Sequence, residues 1–193
     1  MLSIGGITPF TTIDYPGKLA AVLFCQGCPW RCEYCHNKHL LEMKQPVVHS
    51  WEDIIYFLEK RRGLLEAVVF SGGEPTMQQG LPDALVFVKG MGFLTGLHTG
   101  GAYPDLLIDC LPYLDWVGMD IKAPFELYER ITRVSGSAKT AHKSAELLIQ
   151  SNVPHQFRTT VDPFLLEDGR LQIMIELVQG WGEELILQEI RRI

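Results

Sequence analysis

The stretch Gly27-Cys28-Pro29-Trp30-Arg31-Cys32-Glu33-Tyr34-Cys35-His36-Asn37 follows directly on an apolar run over residues 19–24. A short apolar run that opens into a polar loop reads as a strand delivering a site at its carboxyl end. The spacing C-x3-C-x2-C supplies three thiolates from one loop, with no fourth cysteine at a matching distance. Four-cysteine loops close a zinc or iron–sulfur site completely. Three cysteines suggest a cubane cluster with one iron left open to bind and activate something. The competing reading is a structural zinc site with His36, His39 or Cys25 as fourth ligand. Zinc knuckles, however, tend to come as C-x2-C pairs far apart in sequence, and this chain has one cysteine cluster. The chain length, the odd total of five cysteines and the lack of a positively charged, apolar signal segment at the start weigh against a disulfide framework. Cys25 ends the apolar run and Cys110 sits in a helical pattern, so both read as ordinary buried thiols.

The 193 residues, 47% of them hydrophobic, are enough to bury a core as a single domain over 1–193. With 17 basic against 23 acidic residues and a net charge of −6, the chain is not expected to bind nucleic acid. Charges or Gly/Pro interrupt every apolar stretch before it could span a membrane. Reduced cysteines and the absence of a signal make the cytoplasm the expected compartment.

Further apolar or β-branched runs at 67–70, 93–97, 116–119, 156–161 and 185–187 read as strands. Between them lie helical patterns. Ser50 caps a helix over 51–62, with Glu52 and Asp53 in its first turn and Gly63 after its end. Pro82 opens a second to Lys89, stopped by Gly90. Others are expected over 104–111, 138–150 and 170–179. Alternation of this kind predicts an α/β fold with a parallel sheet and outer helices. Six units fall short of a closed eight-fold barrel, so a partial (β/α)6 barrel is expected.

Polar motifs fall at the strand ends. They are the cysteine loop, Ser71-Gly72-Gly73-Glu74-Pro75-Thr76, His98-Thr99-Gly100-Gly101, Asp120-Ile121-Lys122, Arg158-Thr159-Thr160 and Gln188-Glu189. Sites in parallel α/β folds gather at the carboxyl ends of strands, so all six should face one opening. Gly72 and Gly73 let backbone approach a ligand closely, and Glu74 could hold an ammonium group. Taken alone, Gly-Gly-Xaa-Pro is also an ordinary strand-to-helix turn. Arg158, midway along a strand pattern, needs an anionic partner if buried. His142 and His155 read as surface or packing residues.

The three-cysteine loop followed one strand later by Gly-Gly-Glu resembles the radical S-adenosylmethionine (SAM) superfamily. The surrounding text, Thr12-Ile13-Asp14-Tyr15-Pro16-Gly17-Lys18, then Phe24-Cys25-Gln26-Gly27-Cys28 and Cys35-His36-Asn37, resembles the glycyl radical enzyme activases. Among them it looks most like the anaerobic ribonucleoside-triphosphate reductase activating proteins, along nearly the whole chain. Pyruvate formate-lyase activases share these motifs. A small-molecule enzyme of the 7-carboxy-7-deazaguanine synthase kind is the alternative in another class.

The resemblance implies a 4Fe–4S cluster on Cys28, Cys32 and Cys35, with SAM on its open iron. Tyr34 would border the adenine, and Gly72, Gly73 and Glu74 would grip the methionine amino group. Thr99, Asp120, Lys122 and Arg158 would lie beside SAM, with Arg158 facing its carboxylate. His98 stands where some relatives carry an aspartate, which puts a cation site in doubt, and His36 and Asn37 cap the loop and contact SAM. The implied chemistry is reductive cleavage of SAM to a 5′-deoxyadenosyl radical that removes a hydrogen from a glycine Cα of a partner enzyme. The implied electron source is a flavodoxin- or ferredoxin-type donor.

Overall fold

The computed structural model describes residues 2–43 and 48–189. One seven-stranded sheet runs in the order β1-β2-β3-β4-β5-β6-β7. The strands are β1 (Ile4–Thr11), β2 (Ala20–Cys25), β3 (Ala67–Gly72), β4 (Leu94–Thr99), β5 (Trp116–Asp120), β6 (His155–Val161) and β7 (Leu185–Glu189). Strands β2 to β7 are parallel, each beside the next. They correspond to the six strands read from the sequence. Among the described residues β1 and β7 do not pair, so the barrel is partial, as expected.

Strand β1 was not anticipated. Its sequence, Ile-Gly-Gly-Ile-Thr-Pro-Phe-Thr, carries two glycines and a proline, residues depleted in strands. It forms because it can lie antiparallel on β2, with Ile4 opposite Cys25 and Thr11 opposite Ala20.

The helices are α1 (Trp51–Glu59), α2 (Leu81–Gly90), α3 (Pro104–Cys110), α4 (Tyr128–Thr132), α5 (Ser137–Gln150) and α6 (Arg170–Gly180). Ser50 starts α1 through a capping box. Its hydroxyl accepts from Asp53 N–H and its own N–H donates to the Asp53 carboxylate, both at 3.1 Å. Such a cap stabilises a helix by about 1 kcal/mol. Helix α1 ends at Glu59, three residues short of the expected Arg62. Helix α4 is a five-residue turn closed by Arg133 in the left-handed region at φ 59°, too short to show a helical period.

Alternate residues along the strands face opposite ways and build two cores. Val68, Phe70, Leu97, Val117 and Phe157 pack outward on Ile54, Leu58, Leu85, Val88, Leu107, Leu148 and Met174 of the helices. Burial of each such side chain contributes roughly 1.5–3 kcal/mol. Val22, Ala67, Val69 and Trp116 face inward and are closed over by Tyr15, whose ring lies 5.3 Å from Trp116. The inner layer nearest the carboxyl ends is polar instead.

Candidate functional site

That polar layer and the cysteine loop enclose one cavity of about 170 Å³. Every site residue proposed from the sequence lines it: Cys28, Cys32, Cys35, Tyr34, Gly72, Gly73, Glu74, Thr99, Asp120, Lys122 and Arg158. His36, Asn37, His98 and Thr160 line it too. Gln188 and Glu189 do not belong to this lining, against the expectation that all six strand-end motifs face one opening. They lie on β7, the outermost strand, where Glu189 is exposed.

The cysteine loop has little regular structure and is fixed by its backbone. Gly27 N–H donates to Leu40 C=O at 2.7 Å and Cys28 N–H to Leu41 C=O at 3.1 Å, closing the loop on itself. Arg31 N–H reaches Thr132 C=O of α4 at 2.8 Å, and the Arg31 guanidinium holds the Cys28 and Trp30 carbonyls. Trp30 is buried edge-on against Tyr128. These partners were not legible in the sequence, because α4 was not.

The glycines of Gly72-Gly73 have a packing role. A Cβ on Gly73 would stand 2.2 Å from Gly27 C=O, and one on Gly72 would stand 2.6 Å from the Cys25 backbone. The turn is thereby pressed onto the root of the cysteine loop, where Gly73 N–H donates to Cys25 C=O and Glu74 N–H to Gly27 C=O. Gly72 also takes φ 109°, open to glycine alone without strain.

Glu74 is buried and held by four donors. One carboxylate oxygen accepts from Thr76 N–H, the Thr76 hydroxyl and the Thr99 hydroxyl at 3.1, 2.6 and 2.7 Å; the other accepts from Gly100 N–H at 2.8 Å. Thr76 and Gly100, which stand within the strand-end motifs but carried no role of their own in the sequence, hold Glu74 in place. Only the threonine hydroxyl two positions after Glu74 offered a signal.

Arg158 is 7% exposed, and its anionic partner lies within the chain. Asp120, opposite it in the β5–β6 register, accepts from Arg158 at 2.9 Å and from Lys122 Nζ at 2.9 Å. Burial pushes the Asp120 carboxyl up, but the Lys122 and Arg158 charges outweigh it and hold it well below the usual carboxylate range. Burial pulls Lys122 down, and Asp120 more than reverses this. Asp120 therefore serves two fixed cations, and this side of the cavity has one positive charge in excess. His98 Nε2 sits 2.8 Å from Asp14 C=O and 3.1 Å from Arg158 Nη1. Burial, aided by the Arg158 charge, brings His98 down to about 4, so the imidazole is neutral.

Cys25, Cys28, Cys32, Cys35 and Cys110 are all free thiols, with Cys25 and Cys110 buried away from the cavity as expected. Burial, with Glu74 adding, pushes the Cys28 thiol up to about 12, and burial also raises Cys32. A metal that binds there must displace the thiol protons. Among the described residues no three His, Cys, Asp or Glu side chains converge on one point as a single tetrahedral ion requires. Three soft thiols that each meet a different iron need not converge, and such a donor set fits an iron–sulfur cluster. The Tyr34 hydroxyl, buried at the same cavity, has no hydrogen-bond partner among the described residues. Among the described residues no helix is long and apolar enough to cross a membrane.

Residues 22–175 match the family model of the radical SAM superfamily. A Methanocaldococcus jannaschii protein named as a glycyl-radical enzyme activating enzyme is 30% identical over 189 residues, covering 91% of this chain and 75% of its own length. The pyruvate formate-lyase 1-activating enzyme of Escherichia coli K12 is 29% identical over 180 residues, covering 87% and 72%. The solved structure of native anSMEcpe with bound AdoMet superposes at TM-score 0.68 and 17% identity, covering 86% of this chain and 49% of that one, and so shares the fold. The three-cysteine loop, the Gly-Gly-Glu turn and the partial barrel thus meet in one chain that belongs to the radical SAM superfamily, among the glycyl-radical enzyme activating enzymes, whose cofactors are a 4Fe–4S cluster and S-adenosylmethionine.

Proposed function

We propose that this enzyme activates anaerobic ribonucleoside-triphosphate reductase, with Cys28, Cys32 and Cys35 holding the cluster. When bound there, cluster and SAM would supply one-electron reductive cleavage of the sulfonium and, through it, removal of a hydrogen atom from a glycine Cα of the partner. The observation that carries the activase chemistry is the cavity that joins three loop thiols to the Gly-Gly-Glu turn at the strand ends of a partial barrel, while the choice of the reductase rests on the resemblance of residues 12–18 and 24–28.

The chain's own residues bind and orient. Glu74, fixed by four donors, offers its remaining lone pairs to the SAM ammonium. Gly72 and Gly73 bring that turn against the cysteine loop. Thr99 holds Glu74 in place. Lys122 and Arg158, one charge in excess over Asp120, attract the SAM carboxylate. Tyr34, its hydroxyl unpaired among the described residues, covers the adenine side. A reduced, cytoplasmic setting and a single domain over the whole chain go with this reading, as does a flavodoxin- or ferredoxin-type donor.

A second reading has a specific observation behind it. The likeness to the E. coli pyruvate formate-lyase activase covers most of both chains, so that lyase is the next candidate partner. Reconstituted enzyme, reductant and SAM, mixed separately with each purified partner, tests the two by electron paramagnetic resonance. A stable organic radical on the reductase is expected. A radical on the lyase alone reassigns the partner, and a radical on neither, with a small molecule consumed, overturns the activase reading.

A further inference from the structure

The loop that carries the three thiols has an outer face. Arg31, Cys32, Glu33, Lys38, Leu41 and Arg133 line a second groove there, which shares Cys32 and Leu41 with the cavity. Cys32 borders both spaces, whereas Cys28 and Cys35 line the inner cavity without lining this groove. A cluster held by Cys32 is therefore one side chain from the outer surface at this point. Electron tunnelling falls steeply with distance, so a protein that reduces the cluster gains most by docking here.

The charge of the groove selects the kind of protein. Three of its six residues are cationic and one is anionic, in a chain whose net charge is −6. Arg31, Glu33, Lys38 and Arg133 are all exposed. Arg133 pairs with Glu33, and Arg31 pairs with Glu42. Exposed pairs of this kind stabilise by about 0–1 kcal/mol, so exchanging either carboxylate for one on a docking partner costs little. Lys38 has no ion pair among the described residues. Just beyond the Arg133–Glu33 pair, Arg130 stacks on the Phe164 ring at 4.6 Å and likewise has no ion pair among them. Against a net charge of −6, this belt is a local excess of cations that attracts an acidic protein and sets its orientation as well as its encounter rate.

We propose that this groove docks an acidic one-electron carrier protein, which delivers its electron to the cluster by way of Cys32. The inference rests on the radical SAM reading and extends it to the partner that drives it. The carrier is oxidised by one electron and the cluster reduced by one; no bond, proton or leaving group is involved. The glycine-bearing polypeptide is a poorer occupant, because it must reach the inner cavity, and of the three loop thiols Cys32 alone borders the groove.

The test uses a flavodoxin as probe against the reconstituted chain and its Lys38→Glu/Arg133→Glu form. Arg31 is left alone because it holds the loop backbone. Binding is titrated at low and high salt, cluster reduction by reduced flavodoxin is followed by absorbance, and dithionite-driven SAM cleavage is the control. The double reversal should raise the flavodoxin dissociation constant at least about tenfold, flatten its salt dependence and slow reduction in proportion. Iron, sulfide and dithionite-driven cleavage should stay at the wild-type level. Unchanged binding, unchanged reduction despite weaker binding, or displacement of flavodoxin by the glycine-bearing partner would each overturn the proposal. So would failure of flavodoxin to bind the wild-type chain at low salt. Should the double form lose iron, Lys38→Ala, which breaks no ion pair, is read by the same titration and must still weaken binding. A wild-type chain that takes up no iron and sulfide counts against the radical SAM reading, while the titration still reads the groove.

Discussion

The cysteine loop and the strand-end layer face each other across one cavity and hold their functional atoms in opposite ways. In the loop it is the backbone that is tied down, while the three thiols stay out of disulfides and the Tyr34 hydroxyl lacks a partner among the described residues. In the layer the side chains tie one another: Glu74 accepts from four donors, and Asp120 accepts from Arg158 and Lys122. Atoms held ready for a ligand can be removed with little harm to the fold. Atoms that also shape the cavity cannot, since each leaves buried partners unsatisfied.

The largest effect should come from the loop. Cys28→Ala, Cys32→Ala and Cys35→Ala should each reduce iron and sulfide to near background and abolish SAM cleavage. Thermal unfolding of the metal-free chain should change by no more than about 1 kcal/mol. Cys25→Ala and Cys110→Ala, buried in the core, should do the reverse, losing stability but keeping iron. Wild-type iron with retained activity in any of the first three would break the comparison at once.

In the layer, Glu74→Ala should cost about 2–4 kcal/mol of stability, because it strands the Thr76 and Thr99 hydroxyls and Gly100 N–H in a buried space. It should retain the cluster and weaken SAM binding by roughly 1.5–3 kcal/mol. Denaturant unfolding and calorimetric titration read the two losses separately. Loss of affinity without loss of stability would show that Glu74 is spare in the way the thiols are.

Arg158→Ala sharpens the contrast. It leaves Asp120 with Lys122 alone, so stability should fall by about 2–3 kcal/mol and SAM affinity by roughly 1.5–3 kcal/mol. Restoration of the stability, but not the affinity, by adding Asp120→Asn would separate the structural role from the binding role.

The smallest effect concerns pH. His98 binds its proton near pH 6.5 when unfolded and at about 4 when folded, so over that interval the unfolded state holds more protons. The fold therefore loses stability as pH falls through this window, by about 1 kcal/mol between pH 6.5 and 5.5. His98→Gln should remove that slope, and an unchanged slope would show that the imidazole titrates as it does in solvent.

Much of this was legible in the sequence because the strands are short apolar runs punctuated by Gly, Pro and polar motifs. The six parallel strands followed from that rhythm, and the placement of eleven site residues around one cavity followed from the strand-end rule. What stayed hidden depended on pairing at a distance. Strand β1 has poor local propensity and exists because β2 templates it. Helix α4 is too short for a period, so its grip on Arg31 could not be foreseen. The anion facing Arg158 turned out to be Asp120, which comes beside it only through the β5–β6 register. The glycine pair, read as making room for a ligand, also makes room for the loop backbone.

The central claim is that the hydrogen leaves a glycine Cα of a protein partner. Deuterium placed on the glycine Cα of anaerobic ribonucleoside-triphosphate reductase, followed by mass spectrometry of the 5′-deoxyadenosine formed with this enzyme, reductant and SAM, tests it most directly. Orientation of that Cα beside the nascent adenosyl carbon predicts one deuterium in the product and a stable radical on the partner. Unlabelled 5′-deoxyadenosine formed at full rate, with the hydrogen drawn from a free small molecule, would contradict it.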